Sequence, residues 1–221
     1  MSCLRAAILV LASLLGAAAA PAQDWAPPGS RGAVHVYMLR GFGDGLTSGA
    51  VDDLGAVVAR AVPGALVRVL NWHEGDEVFD DALAHAGEPI VLVGFSLGSE
   101  SASEVANRLA RRGIPTKVVG LDPMCAAPSV RRTPLIDAVN VYATPCGGPG
   151  GGRMQGARNV RLPPSPSGGT GLFALGEHAA FPMRPPVQSL VVGEILGMAA
   201  RIDAPWEAFP MERGPMPWAR R

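Results

Sequence analysis

The sequence predicts a single α/β domain, a three-layer α/β/α sandwich with a mostly parallel central sheet. Three observations lead to this fold class. Short apolar runs alternate with segments whose apolar residues recur at helical spacing, the order expected of β-α-β units. One run, residues 89–95, is apolar at consecutive positions, as expected of a central strand that helices cover on both faces. No internal repeat or second compositional region interrupts the alternation.

Six short runs rich in apolar and β-branched residues predict the strands of this sheet. In chain order they are Val34–Leu39, Ala65–Leu70, residues 89–95, Thr116–Leu121, residues 139–143 and residues 159–162. An irregular, proline-containing lead at residues 24–32 precedes the first strand. A glycine-rich turn at residues 40–45 follows that strand.

Four segments with an apolar face at helical spacing predict the helices between the strands. The first begins at a cap, Thr47 or Ser48, and stops at Pro63-Gly64. The second covers residues 76–86, and the third begins at Leu97 and stops at Gly113. The last, residues 187–202, is amphipathic, which favours packing on the core over insertion in a membrane.

A serine lies where the strand at residues 89–95 changes to a helix, in the stretch Gly94-Phe95-Ser96-Leu97-Gly98. This fits the G-x-S-x-G nucleophile elbow, whose sharp turn leaves no room for side chains at the two glycine positions and exposes the serine Oγ. The alternative is a plain tight turn. Such a turn does not need a serine between two glycines, so the context favours Ser96 as a nucleophile.

A serine nucleophile requires a histidine base downstream in this type of fold. Of the four histidines, His35, His73 and His85 precede Ser96, and only His178 follows it. His178 is therefore the candidate base. The alternative is a histidine in a surface loop.

The base in turn requires an acid that orients it. Asp122 closes the strand Thr116–Leu121, which places its carboxylate at the sheet edge where Ser96 also emerges. The alternative for Asp122 is a capping or turn residue. Asp137 precedes a strand and belongs to the opposite edge.

The elbow at residues 94–98 and the stretch Gly120-Leu121-Asp122-Pro123 together resemble the lipase and esterase members of the α/β-hydrolase superfamily. Some lipases carry the acid on a similar Gly-Leu-Asp-Pro segment. The resemblance covers residues 34–202 by element order and implies a minimal, cutinase-sized α/β-hydrolase fold without the two leading antiparallel strands of larger members. It implies a serine hydrolase of the esterase or lipase type acting on a small-molecule or lipid ester or thioester, and it implies no metal or organic cofactor. The alternative is an α/β-hydrolase fold with an inactive site, retained as a binding or envelope-associated protein.

Backbone N–H groups are needed to stabilise the anionic intermediate of this chemistry. The predicted donors are Leu97, which follows the nucleophile, and Phe42, in the turn after the first strand. That turn begins Arg40-Gly41, where the family often has His-Gly. The alternative is that its glycines only form a flexible turn.

Residues 1–22 predict a cleaved signal peptide and hence export to the periplasm or the medium. They combine Arg5, an apolar stretch at residues 6–15 and the small residues Ala20-Pro21-Ala22. The alternative, a membrane anchor, needs about 20 apolar residues. Cleavage leaves a hydrolase-like domain at residues 23–203 and no spanning segment.

An exported chain meets an oxidising compartment, so the cysteines that remain, Cys125 and Cys146, form either a disulfide or two free thiols. Residues 204–221 form a tail of apolar residues spaced by prolines, which either docks on a partner or packs on the protein's own surface. Nineteen basic and 19 acidic side chains balance, which argues against a nucleic-acid partner.

Overall fold

A computed structural model of the protein describes residues 23–25, 33–42, 49–124, 128–143, 151–164 and 172–203. The described strands are β1 Gln23–Trp25, β2 Val34–Leu39, β3 Ala65–Leu70, β4 Ile90–Phe95, β5 Thr116–Leu121, β6 Ile136–Tyr142 and β7 Arg158–Arg161. The described helices are α1 Gly49–Ala61, α2 Gly75–Ala84, α3 Gly98–Arg111, α4 Leu172–Ala180 and α5 Pro185–Asp203, with a 3₁₀ turn at Phe181–Met183 between α4 and α5.

The strands form one sheet in the order β1-β3-β2-β4-β5-β6-β7. Strands β2 to β7 are parallel to their neighbours, and β1 pairs antiparallel with β3. The predicted mostly parallel sheet is therefore confirmed. The predicted irregular lead at residues 24–32 is wrong at Asp24 and Trp25, which belong to β1, because this short strand gains its geometry from the free edge of β3 and carries no pattern of its own.

Helices cover both faces of the sheet and complete the three layers. On one face, the apolar stripes of α1 and α5 pack on alternate residues of β2 to β6, with Phe181 between the two helices. On the other face, α2 and α3 pack on the remaining side chains of β2 to β6. All six residues of β4 are buried, as expected of a strand that both layers cover.

Most predicted boundaries lie within a few residues of those observed, and one strand and one helix differ. The strands Val34–Leu39, Ala65–Leu70 and Thr116–Leu121 have the predicted ends. Strand β6 begins three residues earlier than predicted, because the exposed, charged Asp137 interrupts the apolar pattern between Ile136 and Ala138. Helix α4 was not predicted at all, since it follows a Gly/Pro/Ser-rich stretch and has no capping signal in the sequence.

The carboxyl edge of the sheet brings distant residues into one row. The parallel ladder continues one residue past the strands: Arg40 N donates to Leu70 O (2.9 Å), Ser96 N to Leu121 O (3.0 Å) and Asp122 N to Val141 O (2.7 Å). Residues 40, 96 and 122 therefore follow β2, β4 and β5 at neighbouring positions along this edge. Among the helices of the described ranges, none has the length and apolarity needed to cross a bilayer.

Candidate active site

Ser96 occupies a strained turn between β4 and α3. Its φ is 54°, in the left-handed region that costs an L-residue roughly 1–2 kcal/mol. The turn is closed by Ser99, whose N–H donates to Ser96 O at 3.0 Å and whose hydroxyl donates to Gly94 O at 2.6 Å. A non-glycine residue held in this conformation by its surroundings is a feature that concentrates at functional sites.

The two glycines of the elbow are there because backbone fills the space of their side chains. A Cβ on Gly94 would lie 2.3 Å from Gly98 O, within the turn itself. A Cβ on Gly98 would lie 2.1 Å from Leu39 O and 2.6 Å from Arg40 O, at the end of β2. The predicted steric reason for both glycines is confirmed, and for Gly98 the obstacle is a neighbouring strand.

Ser96 is buried, with 4% of its surface exposed, whereas the elbow pattern predicted an exposed hydroxyl. The cause is the turn after β2. A Cβ on Gly41 would lie 2.8 Å from Ser96 Cβ and 3.3 Å from Phe95 O, so the backbone at residue 41 packs directly against the serine. This close approach requires glycine at position 41.

Asp122 follows β5 with a φ of 43°, a left-handed conformation that aspartate tolerates better than most residues. Its backbone is fixed by the bond to Val141 O, and its Oδ1 accepts a hydrogen bond from Ala143 N at 3.3 Å. The carboxylate is buried at the carboxyl edge of the sheet. Asp122 thus lies where its place after a parallel strand predicted.

His178 contacts Asp122 although 56 residues separate the two. The distance from His178 Nδ1 to Asp122 Oδ2 is 2.7 Å. The imidazole also lies over the ring of Phe95, the residue before Ser96, with 4.7 Å between ring centroids. Since Nδ1 faces the carboxylate, Nε2 is the nitrogen available to a neighbouring hydroxyl.

Helix α4 carries His178, so the alternative of a surface-loop histidine is wrong. The imidazole is mostly buried, with 11% of the side chain exposed. Within the described ranges, the structure records no hydrogen bond between Ser96 and His178. Catalytic hydrogen bonds of this kind are often long in substrate-free enzymes.

The two predicted oxyanion donors flank the serine. Leu97 is the next residue and caps α3 with helical dihedral angles, φ −59° and ψ −30°. Phe42 follows Gly41, and half of its surface is exposed. Gly43 and Gly45 of the same predicted turn lie outside the described residues.

The other histidines lie apart from this site. His73 is exposed beyond β3 and packs edge-on against Trp72. His35 and His85 stack with 4.0 Å between ring centroids, at the amino end of β2. His35 Nε2 is 3.0 Å from Glu88 Oε2, and His85 Nδ1 is 2.9 Å from the carbonyl oxygen of Asp81.

His35, Asp81 and His85 could each offer a metal-ligand atom, and these atoms lie within 4.8 Å of one another. The Asp81 carboxylate is already bound by the Tyr37 hydroxyl at 2.6 Å and by Arg68 at 3.1 Å. A guanidinium this close opposes a bound cation. We therefore interpret the group as a hydrogen-bonded network that joins β2, β3 and α2.

The same network shifts the pKa of two of its members. Burial, followed by the hydrogen bond to Asp81, raises the pKa of Tyr37 well above its usual value. Burial alone would also raise the pKa of Asp81, but the hydrogen bonds from Tyr37 and Arg68 outweigh it, and the pKa is lowered. Folding therefore favours a neutral phenol and an ionised carboxylate at this contact.

Several sequence predictions fall outside the described residues. These are the signal peptide at residues 1–22, both cysteines of the possible disulfide, Cys125 and Cys146, and the tail at residues 204–221. They remain predictions.

No protein-family model and no curated protein sequence matches the chain. Solved structures do. A type II thioesterase of a yersiniabactin NRPS/PKS pathway is 9% identical, with a TM-score of 0.49, and the match covers 84% of this chain and 100% of that one. The esterase domain of a Rhodothermus marinus protein is 16% identical, with a TM-score of 0.48 and coverages of 81% and 91%. An alpha-beta serine hydrolase homologue from Coxiella burnetii is 12% identical, with a TM-score of 0.47 and coverages of 78% and 89%.

The chain has an α/β-hydrolase-like fold. This assignment rests on its own geometry: a parallel sheet between two helical layers, and a G-x-S-x-G turn from a buried central strand into a helix.

Proposed function

We propose that the protein is an exported serine hydrolase that cleaves a carboxylic ester or thioester through an acyl-enzyme. Ser96 is the nucleophile, His178 the general base and acid, and Asp122 the residue that orients His178. The observation that carries the proposal is the 2.7 Å contact between His178 Nδ1 and Asp122 Oδ2, made at the edge where the Ser96 elbow emerges. A capping aspartate and a surface histidine have no reason to meet there.

The proposed reaction proceeds in two halves. Ser96 Oγ attacks the carbonyl carbon while His178 Nε2 takes the hydroxyl proton, and the imidazolium is stabilised by Asp122. The tetrahedral intermediate collapses when His178 returns the proton to the leaving alcohol or thiol. Water then attacks the acyl-enzyme by the same route, releasing the acid and restoring Ser96. No step requires a metal or an organic cofactor.

The oxyanion of the intermediate is stabilised by the backbone N–H groups of Leu97 and Phe42 in this proposal. The placement of Gly41 against Ser96 supports it, because the following N–H then lies close to the nucleophile. Losing one such donor costs roughly 10²- to 10³-fold in kcat in serine hydrolases.

Labelling with a fluorophosphonate probe tests the nucleophile. Wild-type protein should be labelled and should hydrolyse p-nitrophenyl esters, whereas the Ser96→Ala and His178→Ala variants should do neither. A matched control is Ser101→Ala, since Ser101 lies one turn into the same helix and its hydroxyl donates to the backbone oxygen of Trp72. Equal labelling of wild type and Ser96→Ala would remove Ser96 as the nucleophile.

The second candidate is a hydrolase-like fold kept as a binding or envelope-associated protein with an inactive site. The burial of Ser96 favours it. Wild-type protein that is folded but neither labels nor turns over any ester would support this alternative. Deleting residues 204–221 would then test the tail: a docking role predicts lost association.

Export is part of the proposal and has its own test. The amino-terminal pattern at residues 1–22 supports cleavage after Ala22. Amino-terminal sequencing of protein recovered from the periplasm or the medium should begin at Gln23. Retention in the cytoplasm with residues 1–22 intact would contradict it.

A further inference from the structure

An arginine is buried completely beside the candidate active site. The Arg40 side chain has no exposed surface. Its guanidinium donates to both carboxylate oxygens of Asp52, with Nη2 to Oδ1 at 2.5 Å and Nε to Oδ2 at 3.2 Å. It also donates to Asn71 Oδ1 at 3.0 Å. Three elements meet at this one group: the end of β2, the first turn of α1 and the residue after β3.

The backbone of the same residue lies against the elbow. A Cβ on Gly98 would lie 2.6 Å from Arg40 O, and a Cβ on Gly41 would lie 2.8 Å from Ser96 Cβ. Arg40 therefore has its side chain fixed in the core on one side and its main chain in contact with the start of α3 on the other. We call residues 40–42 the oxyanion loop.

A buried ion pair of this kind seldom adds net stability, because the desolvation of both charges offsets their attraction. Its geometry is nevertheless restrictive. A planar guanidinium that forms two parallel bonds to one carboxylate and a third to an amide has one orientation. The consequence of the Arg40 cluster is thus positional, since it fixes where β2 ends and where the loop begins.

We propose that Arg40 is a positioning residue for the active site: its guanidinium, held by Asp52 and Asn71, keeps the oxyanion loop against Ser96. The proposal rests on the proposed function for its link to turnover. The anchoring of the loop can be measured without turnover.

The first measurement is hydrogen exchange of the Gly41 and Phe42 amides in the mature protein, residues 23–221. Arg40→Met should make these amides exchange faster than in wild type. Lys117→Met is the matched control, because Lys117 is also buried and paired with acids, Asp137 and Glu194, but at the amino end of β5. This control should lower the free energy of global unfolding. Exchange of the Gly41 and Phe42 amides should then increase by no more than the change in global unfolding accounts for.

The second measurement is steady-state kinetics on p-nitrophenyl butyrate, with active sites counted by fluorophosphonate labelling. Displacing a catalytic group by about 1 Å can cost about 10²-fold, so we expect kcat per labelled site to fall by about 10² in Arg40→Met. KM should change little, because the oxyanion exists only in the transition state. Arg40→Lys keeps the charge without the fork and should be intermediate.

A double variant separates position from stability. Arg40→Met/Asp52→Leu replaces the pair with apolar groups, a change that tends to preserve folding. Its kcat per labelled site should still be lower than that of wild type. If Arg40→Met does not fold, both measurements can be made on the double variant. Unchanged exchange of the Gly41 and Phe42 amides in these variants, or equal loss of kcat per site in Lys117→Met, would overturn the proposal. Wild-type protein without esterase activity would refute the proposed function, and the exchange rates would still decide whether Arg40 anchors the loop.

Discussion

Replacing Gly98 with alanine tests the contact that builds the elbow. The added Cβ would lie 2.1 Å from Leu39 O and 2.6 Å from Arg40 O, whereas optimal nonbonded separations are about 3.5–4.0 Å. Both obstacles are backbone atoms, so β2 and α3 must move apart by about 1 Å or more. Overpacking of a core costs about 1–3 kcal/mol and occasionally more. Because no flexible side chain can yield here, we expect a loss of about 3 kcal/mol or more in the free energy of unfolding.

Urea unfolding of the mature protein measures this loss, with Gly193→Ala as the control. Gly193 is an exposed residue of α5, and a Cβ there would meet nothing within 4 Å. Alanine at that position should be neutral or should stabilise the helix by up to about 1 kcal/mol. The reasoning would be refuted if Gly98→Ala unfolded within about 0.5 kcal/mol of wild type.

Three further predictions concern the site, the pH dependence and the cysteines. Asp122→Asn should lower kcat by about 10⁴ in steady-state ester hydrolysis, because an amide favours the wrong tautomer of His178; an unchanged kcat would contradict its role. Burial and a hydrogen bond to a carboxylate raise the pKa of Tyr37, so the folded state holds the phenolic proton more tightly than the unfolded state. The contribution of this contact to the free energy of unfolding should be complete below about pH 10 and should decrease above it. Urea unfolding across this pH range should show the decrease in wild type and not in Tyr37→Phe. If Cys125 and Cys146 form a disulfide, denatured mature protein should show no free thiol until it is reduced. Two free thiols per chain in the absence of reductant would exclude the bridge.

Most strands of the sheet could be predicted because a buried strand consists of apolar residues that are close together in the sequence. Thr116–Leu121 is buried on both faces and has the predicted ends. Gln23–Trp25 has no such pattern, and its strand geometry comes from the edge of β3. Helix α4 was missed for a related reason: its position depends on the elements around it, including the contacts of His178 with Asp122 and Phe95.

The candidate site was predicted from its motifs and its order along the chain. Ser96, Asp122 and His178 follow from a glycine-flanked serine, an aspartate that closes a strand and a downstream histidine. Arg40 was noted only as a departure from the family's usual His-Gly. A buried arginine has no sequence signal, because its partners, Asp52 and Asn71, are distant in the chain and are ordinary polar residues.

The sequence by itself determined the fold class and the chemical types of the candidate residues, because local apolar patterns and the steric demands of a tight turn depend on near neighbours. The tertiary structure alone decided which groups touch: the imidazole on the carboxylate, Gly41 against the serine, and a guanidinium buried between two strands and a helix. Such contacts depend on the register of parallel strands and the packing of helices on them. Both are set by the whole sheet and by no single segment.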